Sequence, residues 1–240
     1  MNNLADAIES AARSIVRIDG GRRIPSTGIA WSEDVVITAA HTLRNDENLI
    51  GWDPSTDVAV LRSKALTPIA WNESAQRVGN FVAVAGHSNR ATFGIISAID
   101  DYIDVDATLP PGFSGGPLID FAGEANDCVG KAIGMNTSRI RRNGTTIPIA
   151  ALRRVVGAIL QFGAVRRPFL GVGVHPVDGG VIVLSLAPEG PAKKAGLLVG
   201  DVITSPLQEL LREEKIGTEA TLHITRGGEP REVRITIGAT

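Results

Sequence analysis

Ser114 stands in Pro111-Gly112-Phe113-Ser114-Gly115-Gly116-Pro117-Leu118, a serine set among glycines between two apolar runs. Gly112 and Gly115 allow backbone angles closed to other residues, so successive N–H groups can converge on one hollow. Such a hollow stabilises an oxyanion, and a hydroxyl beside it can attack a carbonyl carbon. The hydroxyl needs a base, and two further segments supply one. His41 ends Val36-Ile37-Thr38-Ala39-Ala40-His41, and Asp57 opens the run Asp57-Val58-Ala59-Val60-Leu61 after Thr56. In that arrangement His41 takes the Ser114 proton and later protonates a leaving amine. Asp57 fixes the imidazole tautomer and stabilises the imidazolium, while the N–H groups of Gly112 and Ser114 receive the oxyanion.

Each assignment has a rival. Glycine-serine turns are common in loops, and a histidine at a strand end can be a satisfied structural residue. Asp53 competes with Asp57, although Asp53 precedes Pro54 and reads as a turn. His87, in Gly86-His87-Ser88-Asn89, reads as a polar loop residue, and His175 and His223 as surface groups. Arg139, Arg141 and Arg142 read as a solvated charged run that, beside an active site, would feel acidic substrates. Cys128 has no histidine near it in sequence and reads as a half-buried strand thiol. The chemistry requires no metal and no cofactor.

The elements that must position these residues are mostly short strands. Twenty-seven glycines and 13 prolines among 240 residues give frequent turns, which favours strands over long helices. Leu4, Ile8, Ala11, Ala12 and Ile15 recur at helical spacing and run into a strand at 14–18. Residues 27–31 and 35–38 form a hairpin just before His41. Segments 58–61, 81–85 and 94–99 complete a first small β-barrel, and 102–105, 116–120, 129–136 and 145–148 belong to a second half. Leu152, Val155, Val156, Ile159 and Leu160 form the stripe of a closing helix that stops at Gly163.

Arg166-Arg167-Pro168 reads as a linker, dividing the chain into domains 1–165 and 168–240. Beyond it, Pro191 to Gly196 is one helical turn, Gly200 to Ile203 a strand, and Ser205-Pro206-Leu207-Gln208 an N-cap with a capping-box glutamine. That helix is expected to run to about Gly217 with Leu207, Leu210 and Leu211 facing inward. Residues 220–226 and 232–237 form a hairpin over Gly227-Gly228.

Composition bounds the partners. A 43% apolar, 21% charged chain is ordinary for a globular protein, and a net charge of −2 gives no reason to expect nucleic acid. One cysteine excludes an internal disulfide. The first residues carry neither a basic start nor an apolar core, so a cytoplasmic location is the expectation from the sequence as written. No apolar run reaches membrane-spanning length.

The chain resembles the HtrA (Deg) family, trypsin-like proteases followed by a PDZ domain. The resemblance is carried by Ile37-Thr38-Ala39-Ala40-His41, Thr56 to Leu61, Pro111 to Leu118, Ile133-Gly134-Met135-Asn136-Thr137 and Phe169-Leu170-Gly171-Val172. It implies a mainly β fold: a chymotrypsin-like double β-barrel, six strands in each, followed by a small α+β PDZ domain. It implies an ATP-independent serine endopeptidase acting on unfolded or C-terminally tagged polypeptides, with His41, Asp57 and Ser114 as triad. A catalytically idle peptide-binding adaptor is the alternative. The substrate pocket implied by the resemblance draws on Ala107, Pro111, Phe113, Met135 and Asn136. With no acidic residue among them, small or aliphatic side chains are favoured at the cleaved position. Peptide C-termini would be held by Phe169, Leu170, Gly171 and Val172, with the last side chain against Leu207 and Leu211. The family implies a homotrimer, and a periplasmic or other extracytoplasmic location where a leader has been removed. Departures are the short His41–Asp57 connection, the short Gly86–Phe93 segment, Phe113 where the family has asparagine, and a second PDZ helix that begins early.

Overall fold

The computed structural model describes residues 3–44, 46–121, 130–141 and 144–240. Cys128 and Arg142 lie outside them. The chain divides into two compact units, Met1–Val165 and Arg166–Thr240.

Unit 1 opens with α1 (Asn3–Ala12), which buries Ala7 and Ala11 against the core. β1 (Ile15–Ile18), β2 (Ser26–Ala30), β3 (Val35–Ala39), β4 (Leu49–Asp53) and β5 (Val58–Arg62) form an antiparallel sheet in the order β1-β2-β3-β5-β4. β3 is buried along its whole length and β5 along all but its last residue, which explains why both read as unbroken apolar runs.

β6 (Phe81–Gly86), β7 (Arg90–Ile99), β8 (Ile103–Val105), β9 (Pro117–Asp120), β10 (Lys131–Thr137) and β11 (Thr145–Pro148) close into a barrel in the order β10-β11-β8-β7-β6-β9. Two expectations change here. Segments 81–85 and 94–99 belong to this second barrel, and the first β-unit has five strands rather than six among the described residues. β6 and β7 follow the first sheet in sequence, but they bond to β9 and β8, contributed later. Alternation sorts the barrel's residues: Val82 and Val84 join Ile96, Leu118 and Ile133 in one cluster, whereas Ala83 and Ala85 join the core beneath α1 and α2. α2 (Ile149–Phe162) contributes Leu152, Val155, Val156 and Ile159 to that core. Leu160, expected in the stripe, is 45% exposed. Each fully buried side chain of this size is worth about 1.5–3 kcal/mol.

Unit 2 contains β12 (Pro168–Phe169), β13 (Val172–Val177), β14 (Gly180–Leu186), α3 (Pro191–Lys194), β15 (Val202–Ile203), α4 (Leu207–Leu210), β16 (Glu219–Arg226), β17 (Glu229–Thr236) and β18 (Gly238–Ala239). A five-stranded sheet runs β13-β14-β15-β16-β17, and β12 pairs with β18. The expected linker is partly structure: Arg167 and Thr240 exchange both backbone hydrogen bonds, continuing the β12–β18 pair. The expected capping box does not form. Ser205 Oγ instead accepts the His223 N–H at 2.8 Å, and no side chain caps α4. The helix therefore spans only Leu207–Leu210, not the stretch to Gly217.

Candidate active site

The register of β3 and β5 brings the first two candidates together. Ala39 and Val58 face each other across the sheet, so the residues just beyond each strand end meet. His41 lies in a 3-10 turn (Ala40–Thr42) after β3, and Asp57 immediately precedes β5. His41 Nδ1 is 2.6 Å from Asp57 Oδ2, and the His41 backbone N–H donates to Asp57 Oδ1 at 2.8 Å. Asp57 is 1% exposed and has φ +60°, a left-handed conformation uncommon outside glycine and tolerated best by Asp and Asn. Cross-strand pairing and two hydrogen bonds from His41 hold that conformation, the kind of local cost concentrated at functional sites. Asp53, expected in a turn, is instead the last residue of β4, and its carboxylate accepts from the Ser55 and Thr56 hydroxyls in the turn that follows.

Ser114 is brought to the pair by the glycines after it. Gly115 has φ +88°, and a Cβ there would collide with the Thr27 carbonyl and Thr38 Oγ1. Its N–H donates to the Asn136 carbonyl at 2.8 Å, tying the loop to the end of β10. Thr27, fully buried in β2, makes the other anchor. Its Oγ1 donates to the Gly112 carbonyl at 2.6 Å and accepts the His87 N–H at 3.0 Å, and its N–H donates to the Ser114 carbonyl at 3.1 Å. Gly112 has φ +92°, and the N–H groups of Gly112 and Ser114 have no backbone partner among the described residues.

Thr137, last in β10, donates from Oγ1 to Asp57 Oδ2 at 2.5 Å. Ser114 Oγ lies 3.0 Å from Ser138 Oγ, and Ser138 Oγ lies 3.4 Å from His41 Nε2. Thr27, Thr137 and Ser138 were not singled out from the sequence for these contacts. Only the Ile133–Thr137 motif pointed to their neighbourhood.

Of the residues expected to line a substrate pocket, Pro111 borders the cleft that contains Ser114, and Ala107, Phe113, Met135 and Asn136 do not border that cleft. A cleft of about 360 Å³ over Ser114 is bordered by Ile24, Pro25, Leu109, Pro110, Pro111 and Gly112, together with His41 and Ser138. Phe113 and Ala107 are buried in the barrel cluster, so Phe113 does not narrow the cleft. Met135 is fully buried in the main core, and Asn136 spends its amide on the Gly116 carbonyl and on Thr146 Oγ1. His41 also borders a second cleft of about 330 Å³, with Leu43, Leu49, Trp52, Pro54, Arg44 and Arg139.

Two polar readings also change. His87 is 9% exposed, with Nδ1 against Ser88 Oγ and Nε2 3.3 Å from the Pro25 carbonyl, behind Gly112. Arg141 is paired with Asp100 and Asp104 and lies over the Tyr102 ring, so the charged run is not simply solvated.

In unit 2, Leu170 is core and Val172 packs against it. Gly171 has φ +76°, and a Cβ there would meet the Gly190 Cα at 2.9 Å. Phe169 pairs with Gly238. Leu207 and Leu210 pack on the core, but Leu211, past the short helix, is 39% exposed.

Comparison with known proteins agrees with this architecture. Residues 44–130 match a trypsin-like peptidase domain and residues 168–237 match a PDZ domain. The chain is 31% identical over 265 residues to Protease Do-like 1, chloroplastic, of Arabidopsis thaliana, covering 87% of this chain and 59% of that one. It is 32% identical over 240 residues to a probable periplasmic serine endoprotease DegP-like of Brucella suis, covering 81% and 45%. The chain thus spans about half the length of the curated relatives it matches. The crystal structure of the serine endoprotease from Yersinia pestis superposes with a TM-score of 0.80 at 27% identity, covering 100% of this chain and 98% of that one. The HtrA-type protease AlgW with a tripeptide gives 0.70 at 26%, covering 98% and 97%. On its paired domains and these relatives, the chain belongs to the HtrA/Deg family of trypsin-like proteases with a PDZ domain.

Proposed function

We propose that this chain is a serine endopeptidase that cleaves unfolded or C-terminally tagged polypeptides without ATP. The observation that carries this is the buried Asp57 carboxylate on His41 Nδ1, with Ser114 in the cleft that His41 borders. Ser114 Oγ attacks the scissile carbonyl, His41 receives the proton and delivers it to the leaving nitrogen, and Asp57 stabilises the imidazolium. The Gly112 and Ser114 N–H groups hold the oxyanion. The PDZ unit captures peptide C-termini along β13, the edge strand of its sheet, beside the Leu170-Gly171 turn. The relatives named periplasmic support an extracytoplasmic site of action.

Casein hydrolysis and labelling by a fluorophosphonate test the reading. Both are expected from the native protein, and Ser114→Ala should abolish labelling and cut kcat on the order of 10⁶-fold. A native protein that neither labels nor cleaves, yet binds peptides, would be the catalytically idle adaptor instead.

A further inference from the structure

Ser138 is exposed and follows directly on β10. Its hydroxyl lies 3.0 Å from Ser114 Oγ and 3.4 Å from His41 Nε2, and its backbone N–H donates to Ser114 Oγ at 3.3 Å. Among the described residues no hydrogen bond joins Ser114 directly to His41, and Ser138 Oγ is the atom that reaches both. The polarity of this chain follows from Asp57. A carboxylate oxygen 2.6 Å from Nδ1 makes that nitrogen the N–H donor of the neutral ring, leaving Nε2 as acceptor. The Ser138 hydroxyl must then donate to Nε2, and its lone pairs are free to accept the Ser114 O–H. Three donors therefore point one way, from Ser114 through Ser138 and His41 to Asp57. The 3.4 Å step is long, as catalytic hydrogen bonds often are before the reacting groups close up.

We propose that Ser138 is a further catalytic residue, relaying the nucleophile's proton to the base. The proposal rests on the reading of Ser114 as nucleophile and His41 as base. As the Ser114 Oγ–carbon bond forms, the carbonyl π pair moves onto oxygen. The Ser114 proton passes to Ser138 Oγ while the proton already on Ser138 passes to His41 Nε2. Ser138 ends neutral and His41 ends as imidazolium beside Asp57. When the tetrahedral adduct collapses, the C–N bond breaks and the imidazolium proton goes to the leaving nitrogen. Ser138 neither gains nor loses a proton over the cycle.

The test compares the native chain with Ser138→Ala, Ser138→Thr and Ser114→Ala on an internally quenched casein-derived peptide. Rates are taken in H2O and in graded H2O/D2O mixtures, and circular dichroism checks that each variant is folded. Loss of a positioned proton-transfer group predicts a kcat lower by about 10²-fold for Ser138→Ala with KM little changed. Ser138→Thr, which keeps the hydroxyl, should recover most of the rate. The rate against D2O fraction should be bowed in the native protein, where two protons move, and straight in Ser138→Ala. A Ser138→Ala variant as fast as or faster than the native chain overturns the relay, because the hydroxyl is then a bystander or a block. Equal losses in the alanine and threonine variants, or a D2O dependence that the alanine change leaves alone, overturn it too. Activity surviving in Ser114→Ala would instead sink the nucleophile assignment itself.

Discussion

Asp57 and Asp201 are each 1% exposed, and they are satisfied in opposite ways. In unit 1, Asp57 receives a histidine ring, that residue's backbone N–H and the Thr137 hydroxyl. In unit 2, Asp201 receives a permanent cation. Arg226 Nε and Nη2 each donate to its carboxylate at 2.7 Å, and the Leu198 N–H adds a third bond at 2.8 Å. The Arg226 side-chain hydrogen bonds hold the Asp201 carboxyl below its ordinary range. A paired guanidinium neutralises a buried carboxylate once and for all, which suits a structural clamp. Neutral donors leave the Asp57 charge available to an imidazole that becomes cationic only during reaction. The same residue type at the same burial serves catalysis or architecture according to whether its partner's charge is permanent.

The sharpest way to break this contrast is Asp57→Asn. It should cut kcat by roughly 10⁴-fold, as the same change does in the chymotrypsin-type triad, while circular dichroism stays native. A variant with near-native kcat would mean that Asp57 is as structural as Asp201.

Arg226→Met should do the reverse, leaving kcat on a short peptide intact and destabilising unit 2 by leaving Asp201 buried without its counter-ion. All three tryptophans, Trp31, Trp52 and Trp71, lie in unit 1, so their fluorescence is blind to this change. Amide hydrogen exchange in β15 and β16 is the measurement, and protection equal to that of the native chain would refute the clamp. The pH dependence sharpens it. Because the folded Asp201 pKa is depressed below its ordinary value of 3.8, the pair's contribution is complete above that value. It is lost as pH falls through the folded pKa. Exchange protection in unit 2 should therefore decline with acid below about pH 4 in the native chain, and this part of the decline should vanish in Arg226→Met.

Thr137→Val is expected to be milder. It withdraws one hydrogen bond from a buried carboxylate, worth about 1.5–3 kcal/mol, with a matching fall in kcat and recovery by Thr137→Ser. The smallest effect belongs to Arg153→Gln. Its pair with Glu73 is half-exposed at both ends, and no resolvable change in the urea midpoint or in kcat is expected.

How much of this could be read from the sequence varies with the distance between partners. The β16–β17 hairpin over Gly227-Gly228 was legible because Arg226 and Glu229 pair across two residues of positive φ. The α2 stripe was legible from its 3.6-residue spacing, apart from Leu160. Where a local rule met a distant competitor, the rule lost. Ser205 looks like an N-cap, but the His223 N–H took its hydroxyl, and the helix shrank to four residues. Arg141 looks solvated, yet acidic partners arrive from β8 and the turn before it.

The sequence alone determined the kinds of chemistry available. Three motifs in the order His, Asp, Ser name a nucleophile, a base and an acid, and glycines beside Ser114 specify a backbone that other residues resist. Apolar periodicity marks two packed units. Tertiary structure alone decided which donors complete the site. Thr137 reaches Asp57 across 80 positions, and Ser138 reaches His41 across 97. Thr27 binds the Gly112 carbonyl across 85. A motif is a statement about neighbours along the chain, whereas a hydrogen bond requires two atoms within about 3 Å in space. Only the closing of β10 onto β9 and the docking of that barrel against the first sheet bring such atoms together.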